Sequence, residues 1–198
     1  MTASTGKKPT LRAQQQQETR RKLVDAAFEV FSKEGYRDAT IQAITREAGA
    51  SRATFYLHFS SKAEVIAAAW QELMATKVLP RFRALDALDP ESDREMAAWI
   101  DDMLSNWESE RNFAIASNQA LSDDPELAAV WLDGIKSFYE AAPRFVSRMR
   151  CGPEQSELRF LLLCSQLDRI VFHWLTGAAA FERAALVEAL TVTWRNEF

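Results

Sequence analysis

An all-α fold is what this sequence predicts, and three observations carry that prediction. Only 6 Gly and 6 Pro occur in 198 residues, so the chain has few of the breaks that punctuate loop-rich proteins. No run alternates apolar and polar residues as a half-buried strand would. Apolar residues recur instead at the three- and four-residue spacing of helices. At 47% apolar composition the chain can bury a sizeable core, in one or two domains.

The elements follow in order. Residues 1–17 are polar, with Gly6, Pro9 and the Gln14–Gln17 tract, and are expected to form a disordered arm. Its Lys7, Lys8 and Arg12 are placed to reach phosphates or a minor groove, as basic arms do. A first helix is expected over Thr19–Glu34, with Leu23, Ala26, Ala27, Val30 and Phe31 on one face and Gly35 as its stop. Thr40 then reads as the N-cap of a short helix carrying Ile41, Ile44 and Ala48. Gly49 breaks that pattern where a helix end needs positive φ. Ser51 caps a second short helix, in which Phe55 and Phe59 share one face and Arg52, Thr54, Tyr56 and His58 project elsewhere. Ser61 and Glu64 form a capping box that opens a fourth helix, expected to run from Lys62 to about Lys77 and to end near Leu79-Pro80.

Five longer helices are expected to complete the chain. Asp89-Pro90-Glu91 and Asp124-Pro125-Glu126 share one start signature, an acidic N-cap before Pro at N1. The predicted spans are Glu91–Ser109, Arg111–Leu121, Pro125–Met149, a helix from Gly152-Pro153 to Gly177, and Phe181–Asn196.

The segment Thr40–Phe59 is the most informative. A short helix anchored through Phe55 and Phe59, with basic, hydroxyl and polar aromatic groups on its other side, is what a major-groove reader requires. Charge agrees: residues 1–62 carry a formal +5 and residues 63–198 carry −9. A basic head on an acidic body suits a DNA-binding module joined to one that faces other partners.

Here the chain resembles the TetR family of bacterial transcriptional repressors. The residues that carry the resemblance are Ala27, Phe31, Gly35, Tyr36, Thr40, Ile44, Ala48, Gly49, Ser51, Thr54, Tyr56, His58, Phe59 and Lys62, over residues 18–66 without a gap. Phe55 stands where the family often has leucine and Ala53 where it often has glycine, and a helix tolerates both. The resemblance implies a three-helix helix-turn-helix DNA-binding domain over 18–64 and a helical ligand-binding and dimerisation domain over 65–198. Arg52 and Thr54 are the candidate base-edge contacts. Thr40, Tyr56 and Lys62 are expected at phosphates, Lys62 because it sits at a helix N-terminus that already favours anions. His58 is expected near the backbone, and Gln42 and Ser51 complete the set. The implied partners are a pseudo-palindromic double-stranded DNA operator, a small-molecule effector and a second copy of the chain.

For the effector, the aromatic residues of the middle helices suggest a concave apolar space. Trp99, Met103, Trp107, Trp131 and Phe138 are the candidate lining. Asn118 and Gln119 are polar positions in an otherwise apolar helix, candidates for polar orientation of a ligand, with surface or capping groups the commoner role of such residues. The penultimate helix bears a stripe of Leu158, Leu161, Ser165, Asp168, Phe172 and Leu175, and the last helix a similar one of Leu186, Leu190, Thr193 and Trp194. In the TetR family these two helices build the dimer's four-helix bundle. The interface is therefore placed at Leu158, Leu161, Ser165, Leu186, Leu190 and Trp194; Asp168 on this stripe pairs with an arginine, marks the floor of the ligand space or, the favoured reading, lies at the edge of the seam.

Other classes find little support. His58 and His173 are isolated, and neither a Glu-x-x-His metal pattern, a glycine-rich phosphate loop nor a nucleophile elbow occurs. No catalytic residue, metal or cofactor is expected. Two cysteines make no disulfide framework or zinc spacing, no apolar run is long enough to span a membrane, and residues 1–20 lack a signal-peptide core, so a cytoplasmic protein is expected. The alternative is a DNA-binding regulator controlled by a protein partner, or by oxidation of Cys151, which stands in a loop beside Arg150.

Overall fold

A computed structural model describes residues 10–198, in which every regular element is helical. The four helices of the N-terminal part are α1 (Leu11–Asp38), α2 (Ile41–Glu47), α3 (Arg52–Tyr56) and α4 (Lys62–Leu73). The body contains α5 (Leu79–Leu85), α6 (Asp93–Ser109), α7 (Arg111–Asp123), α8 (Leu127–Ala141), α9 (Pro143–Ser147), α10 (Pro153–Leu175) and α11 (Arg183–Arg195).

Local chemistry explains most of the boundaries. The Thr10, Thr40, Ser51 and Ser61 hydroxyls each accept from the amide three residues on, at 3.3, 3.1, 2.9 and 3.1 Å. Each satisfies one of the amides that a helix start leaves free. Gly35 and Gly49 have φ of 78° and 62°, the left-handed region that a side chain resists. Gly35 thus breaks α1 in the turn where the sequence places its stop.

Several boundaries differ from expectation. Residues 11–17, assigned to the disordered arm, are the first turns of α1, opened by the Thr10 cap. Gly6, Lys7, Lys8 and Pro9 lie outside the described residues. The division between residues 64 and 65 falls inside α4, which runs from the head into the body. Pro80 does not stop the chain. A π-turn over Met74–Val78 widens the ladder ahead of it, and Pro80 sits in the first turn of α5. The wider turn separates the proline ring from the carbonyl it would strike in a regular helix. Neither acidic-Pro signature caps as expected: α6 is capped by Ser92 and α8 begins at Leu127. The span expected over Pro125–Met149 is cut at Pro143, because the preceding Ala142 is pushed out of helical geometry to φ −124°, ψ 52°.

The core is continuous from head to body. Phe28 of α1 stacks on Phe113 of α7 at 4.4 Å, and Phe82 of α5 stacks on Phe138 of α8 at 4.4 Å. In the body α11 is laid along α6. Trp194 contacts Trp99 at 4.9 Å, and the Arg183–Asp101 and Arg195–Asp93 ion pairs fasten both ends of the helix. One contact controls the interior. A Cβ added at Gly134 of α8 would lie 2.5 Å from the Trp70 ring, so the indole of α4 rests on bare backbone.

That contact can be tested. Gly134→Ala gains up to about 1 kcal/mol of helix propensity but overpacks the indole, which costs roughly 1–3 kcal/mol. Urea unfolding is expected to show net destabilisation in the wild-type background and net stabilisation once Trp70→Ala has cleared the space.

Candidate nucleic-acid interface and interior cavity

The head presents one polar face built on two buried rings. Phe55 and Phe59 are fully buried and lie 5.7 Å apart, which fixes α3 from behind. Thr40, Gln42, Ser51, Arg52 and Tyr56 are exposed, and Thr54 and His58 are half-buried. The two caps therefore serve twice, ending helices while keeping hydroxyls at the surface. The Ser51 and Thr54 hydroxyls are 2.8 Å apart, so one already orders the other. Tyr56 meets Phe55 edge-on, with the rings at 88°.

Lys62 is the exception among the expected contacts. Its ammonium donates to the Tyr36 carbonyl at 2.6 Å and to those of Ala39 and Arg37 at 3.3 and 3.4 Å, and it lies 4.2 Å from the centre of the Tyr36 ring. The broken end of α1 offers free carbonyls, where a cation is favoured. Lys62 thus joins α4 to α1 and is not held out towards a phosphate.

The same turn is gripped from the body. The Tyr36 amide donates to Gln119 Oε1 at 3.0 Å, and the Tyr36 hydroxyl donates to Asp124. Arg37 forms a two-pronged pair with Asp123, both contacts 3.0 Å. Burial, reinforced by the Asp124 carboxylate, pushes the Tyr36 phenol above its ordinary range. Gln119, read as a surface or capping group, therefore ties body to head. Asp124 is turned to Tyr36, which is why its helix-start signature fails.

The interior space comprises three small lobes. The first, about 40 Å³, lies between α4, α7 and α8; the second, about 30 Å³, and the third, about 50 Å³, reach towards α6 and α10. Trp70 and Asp168 line all three. Of the expected lining, Trp107 and Trp131 each face two lobes, and Met103 and Phe138 face the third. Trp99 faces none of them. Its indole N–H donates to the Arg81 carbonyl at 2.8 Å and its ring packs on Phe82 and Trp194, so it is core. Asn118, a candidate for polar orientation of a ligand, also lines two lobes. Trp70 had no signal to set it apart from other helical aromatics.

Asp168 is not at the edge of a seam but on the wall of this space. Burial raises its carboxyl from the usual 3.8 to about 6, only partly opposed by Arg169. The Cys164 thiol one turn earlier is pushed up by burial and by Asp168.

The expected interface divides. Leu186, Leu190 and Trp194 are internal, at 5%, 6% and 0% exposure, and are covered by α6 within the same subunit. An apolar stripe cannot by itself reveal whether its cover comes from the same chain or another. On α10, Leu158 is 59% exposed and its neighbour Leu162 is 52% exposed; Leu161 and Ser165 are half-buried. No described helix is long and apolar enough to cross a membrane, and no group of three potential metal ligands occurs among the described residues.

Comparison with known proteins completes the picture. The family profile described as bacterial regulatory proteins, tetR family, matches residues 23–69, the segment that builds the polar face and its support. Residues 23–69 are thus similar in sequence to the N-terminal segment of this family. The HTH-type transcriptional regulator SrpR of Pseudomonas putida is 46% identical over 56 residues, 28% of this chain and 26% of that protein; the likeness thus spans about a quarter of that relative's length. Solved structures extend the likeness to the whole fold. The fatty acid degradation regulator FadR from Bacillus halodurans aligns with a TM-score of 0.67 at 20% identity, covering 96% of this chain and 97% of its own. FadR from Bacillus subtilis, solved in complex with stearoyl-CoA, aligns with a TM-score of 0.62 at 18% identity, covering 90% and 98%. The head is thus matched in sequence, and the body in fold alone.

The Asp168 environment has a measurable consequence. The unfolded chain ionises this carboxyl near pH 4 and the folded chain only near 6, so the native state holds the proton more tightly. Its contribution to stability therefore falls as pH rises from about 4 to 6, and the deficit is complete above that range. Asp168→Asn is expected to match wild type near pH 4 and to exceed it at pH 7 by up to about 2 kcal/mol, measured by urea unfolding at the two pH values.

Proposed function

We propose that this protein is a homodimeric, sequence-specific DNA-binding repressor, released from its operator when a small molecule occupies the interior space. The observation that carries the reading is the polar face of α3, exposed on a short helix whose opposite side is locked by Phe55 and Phe59. Arg52 and Thr54, at its N-terminal end, reach base edges in the major groove; Thr40, Gln42, Ser51, Tyr56 and His58 set its position on the backbone. Lys62 acts at one remove, by fixing the turn between α1 and α2 on which this face is mounted.

Control by ligand is supported by α7, which touches both regions. Ser117, Asn118 and Leu121 line the first lobe, while Gln119 and Asp123 hold the turn at Tyr36 and Arg37. A ligand that shifts α7 would act on the head directly. Release requires that it bind the DNA-free arrangement more tightly than the DNA-bound one, and a difference of about 1–3 kcal/mol would be ordinary. With lobes of this size a long acyl ligand, as in the Bacillus subtilis FadR complex, would demand extensive opening, so a compact ligand is favoured.

The DNA reading is tested on a duplex selected from a random pool by the protein itself. Arg52→Ala is expected to cost roughly 1–3 kcal/mol at the selected site and to broaden base preference at one position per half-site. Lys62→Ala is expected to lower the melting temperature of the free protein while leaving the salt slope unchanged, because no phosphate contact is removed. Equal affinity of Arg52→Ala and wild type for all base variants, measured by fluorescence anisotropy, would remove α3 as the reader.

Pairing follows from the reader's small footprint. One short helix covers too few bases, and two copies read half-sites about 34–36 Å apart or a multiple of that turn. The proposed seam is the outward face of α10, through Leu158, Leu161, Leu162 and Ser165, with Val192 of α11, itself 55% exposed. Leu162→Asp is expected to sediment as a folded monomer at micromolar concentration. Leu190→Asp, internal by contrast, is expected to lose cooperative unfolding. A dimer that survives Leu162→Asp intact would place the seam elsewhere.

A further inference from the structure

An apolar occupant leaves one feature of the interior unexplained. The Asp168 carboxyl is half-buried and opens onto all three lobes, yet among the described residues it accepts no hydrogen bond and forms no ion pair. Arg169, the neighbouring cation, is exposed and stands over the Phe172 ring at 5.5 Å. A second polar atom faces the same space unsatisfied: Ser117 Oγ, which belongs to two of the lobes, is buried without a partner. Around them stand the indoles of Trp70, Trp107 and Trp131.

A largely desolvated charge without a counter-ion destabilises the empty protein. Placed among indoles, it is also half of a cation site. Ring faces attract a positive charge most strongly where water is excluded, and a carboxylate supplies the opposite charge. Each lobe holds no more than a few waters. Together they approach the roughly 150 Å³ of an apolar cavity that accepts a benzene ring.

We propose that this space takes a lipophilic organic cation, an amine or quaternary ammonium carrying about one aromatic ring. Its charged head sits against Asp168 among the indoles, a donor or acceptor on it reaches Ser117 where one is present, and its apolar parts fill the lobes. An anionic ligand would meet like charge at the same carboxylate. The inference rests on the ligand-controlled reading above and narrows its chemical class.

The test uses the full-length protein and two probes of one shape. Benzyltrimethylammonium carries the charge; neopentylbenzene is its uncharged carbon isostere. Affinities are read by isothermal titration at pH 7.5 and by tryptophan fluorescence. Wild type is expected to bind the cation at least tenfold more tightly than the isostere. Asp168→Asn, which keeps the shape of the side chain, is expected to lose at least tenfold for the cation and less than threefold for the isostere, with the fold confirmed by its melting curve. The proposal is overturned if the isostere binds wild type as tightly as the cation does. It is equally overturned if neither probe binds at millimolar concentration, or if Asp168→Asn retains the cation's affinity. Binding of the selected duplex, measured without probe, is read separately. Wild-type duplex binding alongside failed cation selectivity rejects this ligand class alone, whereas failed duplex binding rejects only the DNA-binding reading.

Discussion

The broken end of α1 is where the molecule is held together. Gly35 turns the chain out of the helix and leaves the Tyr36 amide and the carbonyls of Tyr36, Arg37 and Ala39 without helical partners. Backbone groups of this kind must be satisfied when covered. They are claimed from two directions, by Lys62 at the start of α4 and by Gln119 near the end of α7. The Arg37–Asp123 pair beside them is largely solvent-exposed and adds little; the partly buried bonds of Tyr36 fix the geometry. Because α2 and α3 follow this turn directly, the direction of the polar face of α3 depends on it.

This arrangement makes α7 a shared part. Along fewer than two turns of one helix, side chains alternate between the interior lobes and the clamp on α1. A rigid helix cannot serve both tasks independently, so a displacement at Ser117 or Asn118 is felt at Gln119 and Asp123. Under the proposed control, the conformational difference between the free and DNA-bound states would be expressed as the fit of these clamp contacts. The stacking of Phe28 on Phe113 places a hydrophobic fulcrum at the other end of the same helix.

What the sequence reveals and what it conceals follow a physical division. Caps and stops are local: Thr40, Ser51, Ser61, Gly35 and Gly49 act within a few residues, and each works as its position suggests. Features that depend on a distant partner were misread. Leu186, Leu190 and Trp194 have the period of a seam, but the helix that covers them lies about ninety residues earlier in the chain. Asp124 has the form of a cap, and its carboxyl goes instead to Tyr36. Pro80 and Pro143 look alike as breakers, yet a π-turn absorbs the first while the second splits a helix. Asp168 looks like a polar interruption of an apolar stripe, because a one-dimensional pattern does not record the hollow it faces. The polar face of α3 is legible because its signature is local, and the interior is not because it is assembled from six helices and the π-turn.

The contact between Trp70 and Gly134 gives the interior a stepwise capacity. The indole lines all three lobes, and it reaches that position only because residue 134 has no side chain. Rotamers of a tryptophan are discrete states, so space cannot be enlarged here by gradual yielding. A change of rotamer there would enlarge all the lobes that the ring lines at once and uncover Gly134 of α8. Admission is then graded by whether an occupant repays the displacement of one ring, and size selectivity belongs to a hinged side chain instead of the dimensions of a rigid wall.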